Sequence, residues 1–221
     1  MSLVTFASIQ NNPEIRTYIK RADETLITLG FTEHSFAHVT KTAQTARDIL
    51  EALHYEPRLL ELTQIAGFMH DIGNVVNRVD HAQSGAIMAF RILDKLGMPA
   101  DEVATIVTAI GNHDEGTAVP VNAVAAALIL ADKSDVRRSR VRNQDITSFD
   151  IHDRVNYSVV DSSLRLEPEG KTITLSITID TEICAVMNYF EIFLGRMVLC
   201  RRAANYLGLT FKLDINGQTL L

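Results

Sequence analysis

The segment LLELTQIAGFM, residues 59–69, is mostly apolar and runs directly into an imidazole and a carboxylate, His70 and Asp71. A fold that buries this run must bury the pair with it. Buried ionisable groups persist only when they are paired, hydrogen-bonded or bound to a metal. Neighbours on a helix diverge by about 100°, so His70 and Asp71 share a target only if it lies between them. Other segments must then converge on the same point.

Those segments are predicted to be helical. NNPEIRTYIKRADETLITLG carries Asn12 as a cap, Pro13 at the first helical position and Gly30 as a terminator, with Ile15, Ile19, Ala22, Leu26 and Leu29 on one face. Further helices are expected from Ser35 to His54, from Pro57 to the doublet, from His81 to Leu96, and from Ala100 to Ile110. The next, VNAVAAALILADKSDV, is apolar enough to be buried on most sides. After a basic stretch at 137–145 the pattern changes. SLRLEPEG reads as a strand with a Pro-Glu-Gly turn, and KTITLSITID and LTFKLDI alternate as strands. Between the last two, residues 181–207 read as one long amphipathic helix. The expected architecture is mainly α: a helical bundle over 1–148, then a small α+β subdomain over 149–221, an antiparallel sheet covered by the long helix.

The formal net charge of −6 argues against an extended nucleic-acid partner. The two cysteines, Cys184 and Cys200, form no CxxC pair and are read as packing residues, which fits a reducing compartment. The start MSLVTFASIQ lacks the basic region of a signal peptide, and no stretch approaches the ~20 apolar residues of a membrane span. A cytoplasmic protein with no membrane partner is expected.

Four residues on other helices are candidates to meet the doublet. His38 lies in the second helix, His81 opens the fourth, and His113 follows the fifth in IGNHDEG. Asp132 interrupts the apolar sixth in LILADKS, where an unpaired carboxylate is costly. With His70 and Asp71 the set is four imidazoles and two carboxylates, a donor set suited to borderline divalent ions. Six ligands exceed the need of one catalytic ion with open positions and suit two ions bridged by Asp71. Iron or manganese is expected before zinc, cobalt, nickel or magnesium.

FAHVTKTAQTARDIL, AGFMHDIGN and ALILADKSD together resemble the HD superfamily of metal-dependent phosphohydrolases over roughly residues 30–140. The resemblance maps the family's H…HD…D ligands to His38, His70, Asp71 and Asp132, and implies an HD-type helical bundle with the metals at its middle. His81 and His113 resemble the additional ligands of two-metal members, such as the diadenosine tetraphosphate hydrolases and HD-GYP phosphodiesterases. The latter carry a His-His pair and a Gly-Tyr-Pro run where this chain has one His and DEGTAVP, which disfavours cyclic di-GMP.

The resemblance implies hydrolysis of a phosphoester or phosphoanhydride in a small nucleotide-like substrate. Asp71, as bridge, and Lys133, beside a ligand, are the expected catalytic residues. Lys133, Arg137 and Arg138, with Arg140 and Arg142 behind them, are candidates for gripping phosphate. His34 and the pair His152-Asp153 are read as surface residues, and Asp114 and Glu115 as mouth or solvent residues. The same fold also supports two-iron oxygenases, single-metal nucleotidases and regulatory HD signalling modules. Strand edges or the long helix could join two copies as a homodimer.

Overall fold

The computed structural model describes residues 3–167, 169 and 171–220. A short helix α1 (Phe6–Gln10) precedes α2 (Pro13–Thr28), α3 (Phe36–Ala52), α4 (Pro57–Met69), α5 (His81–Lys95), α6 (Ala100–Gly111) and α7 (Ala123–Ser134). Their starts follow local chemistry. The side chains of Asn12, Ser35 and Asn122 accept from first-turn amides of α2, α3 and α7, while Pro13 and Pro57 occupy first-turn positions of α2 and α4. Gly30 and Gly97, just past α2 and α5, both sit at φ +80°, where a β-carbon is disfavoured.

The C-terminal part comprises α8 (Ile151–Ser158), β1 (Val159–Glu167), β2 (Thr172–Ile179), α9 (Val186–Tyr206), β3 (Thr210–Ile215) and β4 (Gln218–Thr219). The expected Pro-Glu-Gly turn falls at Pro168 and Gly170, outside the described residues. The sheet order is β1-β2-β3-β4, and here the expectation of a wholly antiparallel sheet is corrected. β1–β2 and β3–β4 are antiparallel, but β2 and β3 run parallel. The reason is α9. A helix between two neighbouring strands carries the chain back along the sheet, so the second strand starts at the same end as the first. The helix is also shorter than expected. It begins at Val186, so Cys184 precedes it and only Cys200 lies on it.

α7 holds the two halves together. Its residues Val124 to Ala131 are all buried. Val124, Ala125 and Leu128 join the cluster formed with α1 to α6, whereas Ala126, Ala127 and Leu130 join one built from β2, β3 and α9. A helix apolar on all sides thus lies between two packed layers, with Asp132 and Lys133 in its last turn.

α3 and α4 pack closely enough to bring His38 and His70 together. A β-carbon at Gly67 would lie 2.7 Å from Ala43 Cα and 2.9 Å from Ala43 N, both backbone atoms that cannot move independently. Gly67→Ala is expected to lower unfolding stability by about 1–3 kcal/mol by forcing the helices apart. A drop in urea midpoint at unchanged slope would show it; an unchanged midpoint would mean that the helices can separate freely.

Candidate metal centre and its cavity

α4 ends at His70, and the chain then makes a 3-10 turn over Ile72–Val75. The helix end directs the imidazole inward because its Nδ1–H donates back to Gly67 O at 2.8 Å. The same device recurs twice. His81 Nδ1–H donates to Arg78 O at 3.0 Å and His113 Nδ1–H to Ile110 O at 2.6 Å, each three residues back. His38, inside α3, donates instead to the Asp135 carboxylate at 2.8 Å. Each ring therefore keeps a proton on Nδ1 and turns its Nε2 toward a shared space.

These Nε2 atoms converge. His81 Nε2 and His113 Nε2 face each other at 3.2 Å, although neither has a proton to give. Asp71 lies between imidazole groups. Its Oδ2 is 3.2 Å from His70 Nε2 and 3.6 Å from His38 Nε2, and its Oδ1 is 3.6 Å from His81 Nε2. Asn74 fixes this orientation by donating to Oδ1 at 2.9 Å. Asp132 Oδ1 approaches His38 Nε2 at 3.2 Å and His70 Nε2 at 3.7 Å. All six residues foreseen from the sequence as ligands are thus brought to one place. The ligand atoms of His38, His70 and Asp71, of His70, His113 and Asp132, and of Asp71, His81 and His113 form triads that could each hold an ion.

The electrostatics fit a cation. His38 Nε2, His70 Nε2 and Asp71 Oδ2 are buried without a hydrogen-bond partner among the described residues. Burial disfavours the ionised form of both carboxylates, yet His70 beside Asp71, and Lys133 with His38 beside Asp132, hold them well below the usual range. For His70 burial also opposes charge, but Asp71 and Asp132 outweigh it and push the imidazolium up to about 10. Burial pushes His113 well below its ordinary value, and His81 downward. The centre therefore attracts positive charge, which at His70 is a proton that a metal would displace, while burial favours the neutral form of His81 and His113, as divalent ions require of nitrogen ligands.

The surrounding charges are committed in ways that sequence did not reveal. Asp135, 1% exposed, takes His38 Nδ1–H and pairs with Lys41 Nζ at 2.8 Å and Arg137 Nε at 2.9 Å. Burial opposes its ionisation, but His38 and the neighbouring guanidinium groups hold it far down. Lys133 does not reach solvent. It is 4% exposed and lies between Asp132 Oδ2 at 2.7 Å and Glu115 Oε2 at 3.1 Å. Glu115 in turn pairs with Arg196 of α9.

A cavity of about 340 Å³ opens beside Asp71, His81 and Asp132. The expected phosphate-gripping role of Arg137 and Arg138 is corrected, since neither lines it. Arg137 is tied to Asp135 and Glu33, and Arg138 donates to Tyr157 O and covers the Tyr157 ring. Arg78, Arg140 and Arg196 line it instead, as do His34 and Asp153, both half-buried rather than fully on the surface, and His152, which is exposed as expected. His34 donates to Thr32 O and lies edge-on to His38. Asp135, Glu115 and Arg196 went unassigned because nothing in local pattern indicates which distant partner a charged side chain meets. Only the position of Asp135, three residues after Asp132, was a usable signal. Cys200, its thiol pushed up to about 12 by burial, is a packing residue.

The sequence model of the HD domain matches residues 35–154, more than half of the chain. The chain belongs to the HD domain family. The matched segment runs from the cap of α3 into α8 and contains all six converging residues. HD domains are mostly metal-dependent hydrolases that bind divalent ions, in agreement with the donor set here. An uncharacterized protein of Methanocaldococcus jannaschii is similar over almost the whole length, 23% identical across 92% of this chain and 86% of its own. Among the described residues of this HD protein no helix is long and apolar enough to cross a membrane.

Two outcomes follow from this geometry. Asp135→Asn weakens the hold on the His38 ring, and metal affinity is expected to fall about 10- to 100-fold in a chelator-competition titration; undiminished affinity would show that His38 needs no orienting carboxylate. Metal-free protein at pH 7 carries the His70 proton, since its pKa lies near 10. Loading is therefore expected to release about one proton per chain from this site. Calorimetry in buffers of different ionisation enthalpy measures it, and proton uptake would contradict the assignment.

Proposed function

We propose that this HD protein is a phosphohydrolase that cleaves a phosphoester or phosphoanhydride bond of a small nucleotide-like substrate, using two divalent ions held by His38, His70, Asp71, His81, His113 and Asp132. The observation that carries this reading is Asp71, whose two oxygens face different imidazole groups at the floor of a cavity lined by guanidinium side chains. Iron or manganese suits the nitrogen–oxygen donor set. Bound there, such ions polarise phosphate oxygens and acidify a water to supply hydroxide near neutral pH.

The chain's own residues do the rest. Asp71 turns Oδ2 toward His38 and His70 and Oδ1 toward His81, so it would serve ions on both sides, with Asn74 restraining its rotation. Backbone or carboxylate anchoring of Nδ1 leaves Nε2 of all four imidazoles as the position a metal would take, at His70 in exchange for a proton. Lys133 holds Asp132 in one orientation through its 2.7 Å contact, and in this reading it acts through that ligand. Arg78 and Arg196 make the cavity attractive to an anion, so the negative chain admits a small phosphate locally while repelling a nucleic acid. Residues 1–148 form the catalytic unit in this reading, and residues 149–221 supply part of the cavity wall.

The test is to purify the protein without oxygen and count metals in wild type and in a variant combining His81→Ala with His113→Ala. About two ions per chain falling to about one, with hydrolysis of phosphate esters by the wild type, is the expected result. Equal metal content in both would remove His81 and His113 from the centre. Oxygen consumption by an iron-loaded protein that cleaves no phosphate ester would replace hydrolysis with oxygenase chemistry.

A further inference from the structure

The cavity is bordered by several cations, most of them already engaged by neighbouring groups. Lys133 is neutralised between Asp132 and Glu115. Arg140 is buried and donates to the carbonyls of Glu33 and Asp135. Arg78 pairs with no carboxylate among the described residues, but one of its amino groups is turned toward Asn74 Oδ1 and His81 Nε2, which ties it to the metal centre. Arg196 differs. Its Nε meets Glu115, a carboxylate shared with Lys133, and its two Nη groups make no hydrogen bond among the described residues. It lines the cavity with 27% of its side chain exposed.

Arg196 is also held in place. Its guanidinium lies over the Phe193 ring, 4.4 Å from the centroid, one turn earlier on the same face of α9. Phe193 is 1% exposed, and the helix beyond it is anchored by Met197, Cys200, Ala203 and Ala204 in the core shared with α7. α7 in turn carries Asp132. A guanidinium seated over a buried ring, on a helix packed against the helix of a ligand, offers two unbonded Nη donors from a restrained position. That geometry matches two oxygens of a phosphate.

We propose that Arg196 is the phosphate-gripping residue of this protein, donating its Nη groups to non-reacting oxygens of the substrate phosphate. The role expected of Lys133 and the arginines at 137–138 thereby passes to a residue outside the matched segment 35–154. Substrate preference is then set by the C-terminal helix as well as by the HD domain. This inference rests on the phosphohydrolase reading.

The experiment uses manganese-loaded full-length protein, with inorganic phosphate as the probe. Phosphate affinity is measured by calorimetry, and bound manganese by elemental analysis, for wild type, Arg196→Gln and Arg196→Lys. Arg196→Gln is expected to weaken phosphate binding about tenfold or more at unchanged manganese content. Arg196→Lys should recover part of that loss, because charge returns without the paired donors. The KM for any phosphate ester cleaved should rise in the same order. Equal phosphate affinity in Arg196→Gln and wild type, with manganese retained, overturns the assignment while leaving the phosphohydrolase reading intact. Loss of manganese in Arg196→Gln would instead mean that Arg196 acts through Glu115 and Lys133 on Asp132, which also overturns it. A manganese-loaded wild type that binds no phosphate overturns both readings.

Discussion

Everything in this fold depends on a conflict that its packing creates. Four imidazole Nε2 atoms and two carboxylates are driven into one buried space, where like groups repel and solvent cannot compensate. Two lone pairs facing each other at 3.2 Å, His81 against His113, gain nothing from the contact itself. The arrangement becomes favourable only with positive charge at its centre. A proton on His70 supplies part of it, and divalent ions supply more. Burial near the centre strengthens the attraction between these groups and a cation, since less water screens it.

The backbone bears much of the cost of holding that conflict in place. Three of the rings are fixed through carbonyls three residues back, a bond available only where a helix starts or stops. His70 stands at the end of α4, His113 just past α6, and His81 at the first position of α5. His81 follows Asp80, whose φ of +56° lies in the left-handed region that turns the chain sharply into the helix. Only His38 lies within a helix, where the carbonyls are occupied. It accordingly needs a side chain, Asp135, to set its tautomer, and Asp135 needs Lys41 and Arg137 to be stable when buried.

This division explains what could be read from the sequence. Helices appear in periodicity and caps, and ligands on their ends or in apolar runs stand out because an ionisable residue there has no bland purpose. Asp132 within LILADKS is the plainest case. The fold class and the convergence of six residues were legible for that reason. The parallel pairing of β2 with β3 was not, because alternation reports which face is buried and says nothing of strand direction. The arginines were not either. A run at 137–142 suggests a basic patch, yet Arg137 is paired with Asp135 and Glu33, and Arg142 with Asp23. Partners 104 and 119 residues distant cannot be inferred from neighbouring letters.

Charge near such a centre has meaning only after pairing is counted. Asp132, Lys133, Glu115 and Arg196 form a chain of alternating sign from the ligand out to α9. The inner members cancel, so Lys133, closest in sequence to the ligand, has the least charge to offer a substrate. The terminal member has the most, because Glu115 is divided between two cations. A chain of this kind carries positive charge outward from the ligands to the cavity wall. In the proposed reading it leaves Asp132 Oδ1 for a metal and places the donor for an incoming anion on a separate helix, α9.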